Sequence, residues 1–209
     1  MSQQKIRDEL VTTLDHIERV WTKLQPLTGN RRSLTFPDTH KLSEGLFLAS
    51  WTHWEQFLRE LFVEDLSWAT GSAVRREVKK FRTKNAPERL AELVVGHPDT
   101  KKWIEWSEFS DVLNRANSLL GANNRFAAAG INQNDLTNLK RIRNAIAHKS
   151  DSAWESFRRL AQAAPFSLAA NQMRGITVGR FLTAHQWNGM PVLRQSLQLV
   201  RANAQVLVP

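Results

Sequence analysis

The sequence predicts an all-α fold of about six to seven helices, because apolar residues recur at intervals of three and four along most of the chain. Glycine and proline separate these stretches, for example at Pro26, Gly71 and Gly121, and indicate where helices end. No internal repeat, low-complexity tract or long linker divides the 209 residues. We therefore expect a single domain over residues 1–209.

Composition excludes several classes of site. The chain has no cysteine, so disulfides, thiolate metal sites and a cysteine nucleophile are ruled out. It has no glycine-rich phosphate loop and no His-Glu-x-x-His helix, and we predict neither a metal nor a cofactor. We find no signal peptide and no apolar run of about 18 residues, so the protein is expected to be soluble, cytoplasmic and independent of membranes.

The chain is strongly basic. Its 29 lysines and arginines exceed its 20 acidic residues and leave a formal charge of +9. This excess favours a polyanionic partner such as RNA. Charge alone is equally consistent with a basic protein that has no such partner.

The first predicted helix covers residues 3–25 and ends at Pro26 and Gly29. Its apolar face consists of Ile6, Leu10, Leu14, Ile17, Trp21 and Leu24. The loop that follows, through Arg31 and Arg32, is basic and is expected to be exposed.

A longer helix is predicted from residue 41 to 69 and ends at Gly71. The spacing of its apolar residues favours core packing, with stacking of Trp51 and Trp54 on RNA bases as the alternative. These residues are Phe47, Trp51, Trp54, Leu58, Leu61 and Phe62.

Residues 73–95 form the densest positive run in the chain. Such a run is usually a solvated helix face, but it is also the first candidate for contacts with phosphates. The predicted RNA contacts in it are Arg75, Arg76, Lys79 and Lys80.

A helix around residues 112–120 ends at Gly121, and residues 121–133 are predicted to be a loop. The next helix, over residues 134–148, begins with Asn134 as its N-cap and Asp135 in its first turn. Its apolar stripe consists of Leu136, Leu139, Ile142 and Ile146.

This helix also carries Arg143, Asn144 and His148, which core packing does not require. At about 100° per residue, Asn144 and His148 share a face, with Lys140 one turn earlier, whereas Arg143 lies about 140° around the helix from His148. Arginine and histidine can converge if the helix ends or bends, if the arginine reaches round, or if a second copy supplies one of them. Together they could hold a phosphodiester and move the protons of its cleavage.

After the motif, Ser152 and Glu155 have the spacing of a capping box, which predicts a sharp turn and a new helix ending at Pro165. Residues 166–189 have the weakest helical pattern, and the segment near 174–183 could be a short strand or irregular. Met190 and Pro191 open the last predicted helix.

Three stretches resemble the HEPN superfamily. The sequence Arg-Asn-x-x-x-His from Arg143 to His148 is similar to the signature of that superfamily. Trp54, Glu55, Phe57 and Leu58 resemble the Trp-Glu-x-Phe-Leu helix of the RiboL-PSP type of HEPN domain. Residues 124–139 are similar to the segment that precedes the motif there. One departure is Lys149, where related motifs often have glycine.

The resemblance implies a HEPN-like helical bundle and a metal-independent endoribonuclease that acts as a homodimer with a composite site. In that family the RNA 2′-hydroxyl attacks the adjacent phosphate and leaves a 2′,3′-cyclic phosphate. Carried over, His148 would be the acid and base, Arg143 would stabilise the transition state, and Asn144 would orient the site. Glu55 would support Arg143, or it could simply face water.

The implied role is that of a toxin or anti-phage effector, with a possible antitoxin or defence-system partner protein. Lys140 and Lys149, close to the motif, are predicted to contact RNA. Two alternatives are a non-catalytic HEPN module that binds RNA, nucleotide or protein, and a basic helical scaffold in which Arg143 and His148 are structural.

Overall fold

The computed structural model describes residues 2–68 and 106–209, apart from the side chains of residues 67 and 68. Over these residues the fold is mostly helical, which confirms the predicted fold class, with eight α-helices and one small hairpin near the C-terminus. The helices are α1 (Gln3–Leu24), α2 (Phe36–Trp68), α3 (Phe109–Leu120), α4 (Arg125–Ala128), α5 (Gln133–His148), α6 (Asp151–Gln162), α7 (Val178–Ala184) and α8 (Val192–Leu207). A 3₁₀ turn, Gln25–Leu27, follows α1, and strands β1 (Gln186–Trp187) and β2 (Met190–Pro191) pair antiparallel.

The chain divides into two compact units, and each contains residues from α1, α2 and α8. The first unit comprises Met1–Glu9, Trp54–Gln133 and Asn203–Pro209. Aromatic side chains fill its described core, where the Phe62 ring lies 5.7 Å from the rings of Trp106 and Phe126. The prediction of a single domain is not tested by this division and stays a prediction.

A polar cluster joins three segments of this first unit. Arg125 Nε donates to Asp65 Oδ2 at 2.6 Å, and Arg125 Nη1 donates to the Leu207 carbonyl at 2.8 Å. Gln3 Nε2 donates to the second carboxylate oxygen of Asp65 at 2.8 Å. Residues distant in sequence are thereby linked by hydrogen bonds through one arginine and one aspartate.

The second unit comprises Leu10–His53 and Asn134–Ala202. Its core includes a chain of rings in which Phe181 lies 5.2 Å from Phe157 and 4.9 Å from Phe166. Phe166 in turn lies 5.2 Å from Trp187 on β1. Aromatic contacts therefore hold α7 and the hairpin against α6. Local helix or strand propensity does not predict such contacts.

Helix α7 is docked closely on α2 within this unit. Gly179 is buried, and a Cβ atom at this position would overlap the backbone carbonyl of His40. Glu44 Oε1 accepts a hydrogen bond from the Gly179 amide at 2.9 Å. Burial and the nearby Arg180 lower the pKa of His40, with Glu44 opposing the shift.

Several predicted boundaries are wrong, and local capping explains three of them. Helix α2 begins at Phe36 rather than residue 41, because Thr35 and Asp38 form a reciprocal capping pair at its start. Within the predicted loop 121–133, Asn124 caps the short helix α4 by accepting from the Ala127 amide at 3.0 Å. Ser150, rather than Ser152, caps α6.

Further differences concern chain segments at helix ends. Helix α5 begins at Gln133, so Asn134 lies within the first turn, and α6 ends at Gln162, ahead of Pro165. The segment 174–183 contains the start of α7, capped by Thr177, and the strands occur later. Packing of Val178, Phe181 and Leu182 in the core favours the helix there.

Candidate functional site

The apolar stripe of α5 orients the candidate site. Leu136, Leu139, Ile142 and Ala145 are buried, whereas Ile146 is only half-buried. Burial of this face leaves Arg143 half-buried and His148 exposed at the last position of the helix. The sequence therefore places both side chains correctly on the helix, although the buried stripe uses Ala145 where Ile146 was expected.

The helix ends at His148 because the chain reverses there. Lys149 has a φ of 45°, in the left-handed region that glycine usually occupies after a helix. Ser150 then caps α6 with its hydroxyl, which accepts from the Ala153 amide at 3.3 Å. The predicted sharp turn after His148 is confirmed, and lysine makes it despite the departure from glycine.

Arg143 and His148 meet within one chain. Arg143 Nη1 lies 3.0 Å from His148 Nε2, despite the angular separation expected on a regular helix. The long arginine side chain reaches round, and His148 is at the helix end. Of the three routes to convergence, a second copy is therefore not needed to bring these two groups together.

The chemistry of the pair follows from its donors and acceptors. A guanidinium group only donates, so Nε2 of His148 accepts and the ring proton lies on Nδ1 in this arrangement. Arg143 Nη1 also donates to Asn144 Oδ1 at 3.2 Å. Asn144 thus orients the arginine, and the pair presents a cation next to a nitrogen that can accept a proton.

The other predicted site residues are only partly described by the structure. Glu55 is half-buried on α2, with its Oε1 atom fully buried, and its predicted support of Arg143 stays a prediction. Lys140 is half-buried and Lys149 is exposed, one on each side of the pair along the chain. The predicted RNA contacts at Arg75, Arg76, Lys79 and Lys80 lie outside the described residues.

The predicted core assignment of the tryptophans on α2 is confirmed. Trp51 is 2% exposed and Trp54 is 1% exposed. Neither ring is available for stacking on a base in this conformation.

An open groove of about 730 Å³ runs along α1, away from any residue in the predicted site. Among its lining residues, Glu18 pairs with Arg194 at 2.9 Å and Asp15 pairs with Arg201 at 2.6 Å. Since both carboxylates have cationic partners, the groove presents neither an acidic cluster nor a catalytic arrangement.

Two searches for other kinds of site are negative over the described part of the chain. Within residues 2–68 and 106–209, no three His, Asp or Glu side chains come together as metal ligands would. No helix in the same ranges is long and apolar enough to cross a membrane.

The exposure of one aromatic side chain was not predicted. Phe36, the first residue of α2, is 57% exposed. The available signal was the Thr35–Asp38 capping pair, which places an aromatic residue at the start of a helix immediately after the basic loop.

Comparison with protein-family models, curated proteins and solved structures finds no match for this chain.

Proposed function

We propose that this chain is a metal-independent endoribonuclease of the HEPN type. The observation that carries the proposal is the 3.0 Å contact between Arg143 Nη1 and His148 Nε2 at the exposed end of α5. The resemblance of residues 143–148 to the HEPN signature supports it, as does the formal charge of +9, which favours a polyanionic substrate.

In the proposed reaction, the RNA 2′-hydroxyl attacks the adjacent phosphorus. The bond from O2′ to phosphorus forms, the bond from phosphorus to O5′ breaks, and the products are a 2′,3′-cyclic phosphate and a 5′-hydroxyl. Nε2 of His148 accepts the proton of the 2′-hydroxyl. The Arg143 guanidinium stabilises the negative charge that develops on the phosphate oxygens.

Binding of substrate has to exchange one hydrogen bond for another. Arg143 Nη1 donates to His148 Nε2 in the structure, so the lone pair needed for proton transfer is occupied. A phosphate oxygen is a stronger, charged acceptor for the guanidinium and would replace His148 in that role. The same event would release Nε2 to act as a base.

A homodimer would complete this chemistry. The attacking and leaving oxygens lie on roughly opposite sides of the phosphorus, so one imidazole cannot serve both at once. A two-fold axis close to the end of α5 would bring a second Arg143–His148 pair to the opposite side. In this proposal each copy contributes a complete pair, and one His148 accepts a proton while the other protonates O5′.

We further propose a biological role as a toxin or anti-phage effector acting on cellular RNA in the cytoplasm. Unrestrained RNA cleavage would harm the producing cell, so a neutralising antitoxin or an activating defence-system partner is expected. Glu55, Lys140 and Lys149 are proposed as supporting residues, together with the basic run at Arg75–Lys80.

The proposal is tested by incubating purified protein with total RNA in excess EDTA and analysing the ends of the products. We expect wild-type protein to leave 2′,3′-cyclic phosphates and His148→Ala to lose about 10²- to 10⁴-fold in rate. Arg143→Ala should lose activity as well. Arg141→Ala, which removes an exposed arginine of the same helix outside the pair, is the matched control and should retain activity.

RNA cleavage that persists in both His148→Ala and Arg143→Ala would contradict the assignment. RNA binding by wild-type protein without cleavage, even with an activating partner present, would instead support a non-catalytic module. Growth arrest on expression, relieved by His148→Ala, would test the toxin role separately.

A further inference from the structure

The loop between α1 and α2 presents an exposed aromatic ring beside two arginines. We define the α1–α2 loop surface as Leu27, Arg31, Arg32 and Phe36, all of which are exposed. Leu27 is 45% and Phe36 is 57% exposed. Among the aromatic side chains that the structure describes, Phe36 is the only exposed one.

Phe36 is held by a well-defined helix start. Asp38 Oδ2 accepts from the Thr35 amide at 2.8 Å and from the Thr35 hydroxyl at 2.6 Å, and the Asp38 amide donates back to the Thr35 hydroxyl at 3.4 Å. These hydrogen bonds lower the pKa of Asp38. Since the capping pair flanks Phe36, hydrogen bonds fix the backbone that carries this exposed ring.

Backbone hydrogen bonds also close the loop. The Leu34 amide donates to the Leu27 carbonyl at 2.9 Å, and the Gly29 amide donates to the Leu34 carbonyl at 3.0 Å. Arg32 bonds to the Pro26 carbonyl and packs along Gly29, whereas Arg31 has a φ of 62° at the tip of the turn. The loop that carries Arg31 and Arg32 and leads into Phe36 is therefore held closed by hydrogen bonds.

The charge of this region favours an anionic ligand. From residue 25 to residue 37 the chain contains Arg31 and Arg32 and no acidic residue. Asp38 follows, and beyond it Lys41 is paired with Glu44 at 2.7 Å. The Asp38 carboxylate is already engaged by Thr35. A ligand at the loop would thus meet positive charge with little opposing negative charge.

We propose that the α1–α2 loop surface is a contact for single-stranded RNA, in which a base stacks on Phe36 and Arg31 binds an adjacent phosphate. This inference rests on the proposed ribonuclease function and adds a binding element on a different part of the chain from Arg143 and His148. A single aromatic ring is the size of one base, and aromatic residues set among basic ones bind single strands without strong sequence preference.

The surface fits RNA better than a protein partner. A stable protein interface buries roughly 800 Å² on each side and has several apolar anchors at its centre. Here the loop has one exposed ring and one exposed leucine, and its other two defined residues are arginines. Stacking on Phe36 requires one exposed face of a base, and both faces of an internal base in a duplex are covered by its neighbours. We therefore expect the surface to discriminate single strands from duplexes.

The test measures binding of a fluorescein-labelled, 12-nucleotide RNA of mixed sequence, single-stranded or annealed to its complement. The full chain is used with His148→Ala as a common background, so that cleavage does not interfere. Phe36→Ala should weaken single-strand binding by about 5- to 150-fold. Phe36→Trp should restore it, and duplex binding should change much less.

Two controls separate stacking from general effects. Val206→Ala removes another exposed apolar side chain, 52% exposed on α8, and should leave binding unchanged. Arg31→Ala should weaken binding to all single strands and lower the salt dependence by about one phosphate contact. Because Phe36 and Arg31 are exposed, both variants are expected to fold, which a thermal melt checks.

The failures of the two proposals are distinguishable. If wild-type protein cleaves RNA but Phe36→Ala binds single strands as tightly as the background protein, the loop inference is overturned and the ribonuclease proposal stands. If wild-type protein does not cleave but Phe36→Ala still weakens single-strand binding, the loop contact stands alone. Equal losses for the single strand and the duplex would also overturn the stacking proposal.

Discussion

Two arginines of this chain belong to different kinds of pair. In the first unit, Arg125 pairs with Asp65, and the two side chains are 24% and 13% exposed. In the second unit, Arg143 contacts His148, which is exposed at a helix end. Arg125 is hydrogen-bonded to residues 60 and 82 positions away in sequence. Arg143 has contacts with Asn144 and His148 of its own helix.

The two arginines differ in whether their hydrogen bonds can be replaced by bonds to a ligand. Burial raises the pKa of Asp65, and the hydrogen bond and charge of Arg125 oppose that shift. Removing either partner would leave a poorly solvated charge, so the Arg125–Asp65 pair is needed for the stability of the fold. The hydrogen bond between Arg143 and His148 is exposed, and in the proposed reaction a phosphate of the substrate replaces it. Exposure at a helix end therefore distinguishes the pair proposed for catalysis from the pair that stabilises the fold.

The largest effect on cleavage is expected from a change at Arg143. Arg143→Lys keeps the charge but removes the planar fork, so we expect RNA cleavage to fall by about 10²- to 10³-fold. The free energy of unfolding should change by less than about 1 kcal/mol, because the internal hydrogen bond is solvent-accessible. Single-turnover cleavage and urea unfolding of the same preparation measure the two effects. Retained cleavage would assign Arg143 a purely electrostatic role.

Arg125 should give the reverse pattern. Arg125→Ala is expected to lower the free energy of unfolding by about 2–3 kcal/mol, less than a fully buried pair loses, because part of the side chain reaches solvent. Cleavage per folded molecule should remain unchanged. Urea unfolding beside Arg141→Ala, an exposed arginine, provides the comparison. A loss of cleavage at constant folded fraction would show that Arg125 contributes to the reaction as well.

Lys149 forms the turn that follows His148, and the smallest effect is expected there. Lys149→Gly should raise the free energy of unfolding by about 0.5–1 kcal/mol, since glycine adopts the left-handed conformation without the steric cost of a Cβ. Lys149→Ala removes the same charge but keeps the strain. If Lys149 contacts RNA, both variants should weaken binding equally. A loss confined to Lys149→Gly would instead indicate that the turn geometry matters.

Much of the fold could be predicted from the local pattern of apolar residues and helix-stop residues. The apolar stripes predicted α1, α5 and most of α2, and Gly121 predicted the end of α3, because helical periodicity and stop residues act over a few positions. The predicted start of α2 was wrong because the cap at Thr35 begins the helix ahead of its apolar stripe. Helix α7 was not predicted because its pattern is weak and burial of Phe181 in the core stabilises it.

The candidate site could be predicted only in part from the sequence. The sequence placed Arg143, Asn144 and His148 on one helix and predicted the turn that ends it. It did not decide how two side chains about 140° apart would meet, because that depends on arginine reach and on the helix end. Phe36 was missed because exposure of a single aromatic residue is a property of packing.

Residue type and short-range spacing are enough to predict the helical class, the basic charge and an arginine and a histidine at a helix end. Tertiary packing is needed for the Arg125–Asp65 pairing, the docking of Gly179 on His40 and the burial of Trp51. Helix formation is local, whereas pairing and burial depend on which distant segments pack together and exclude water.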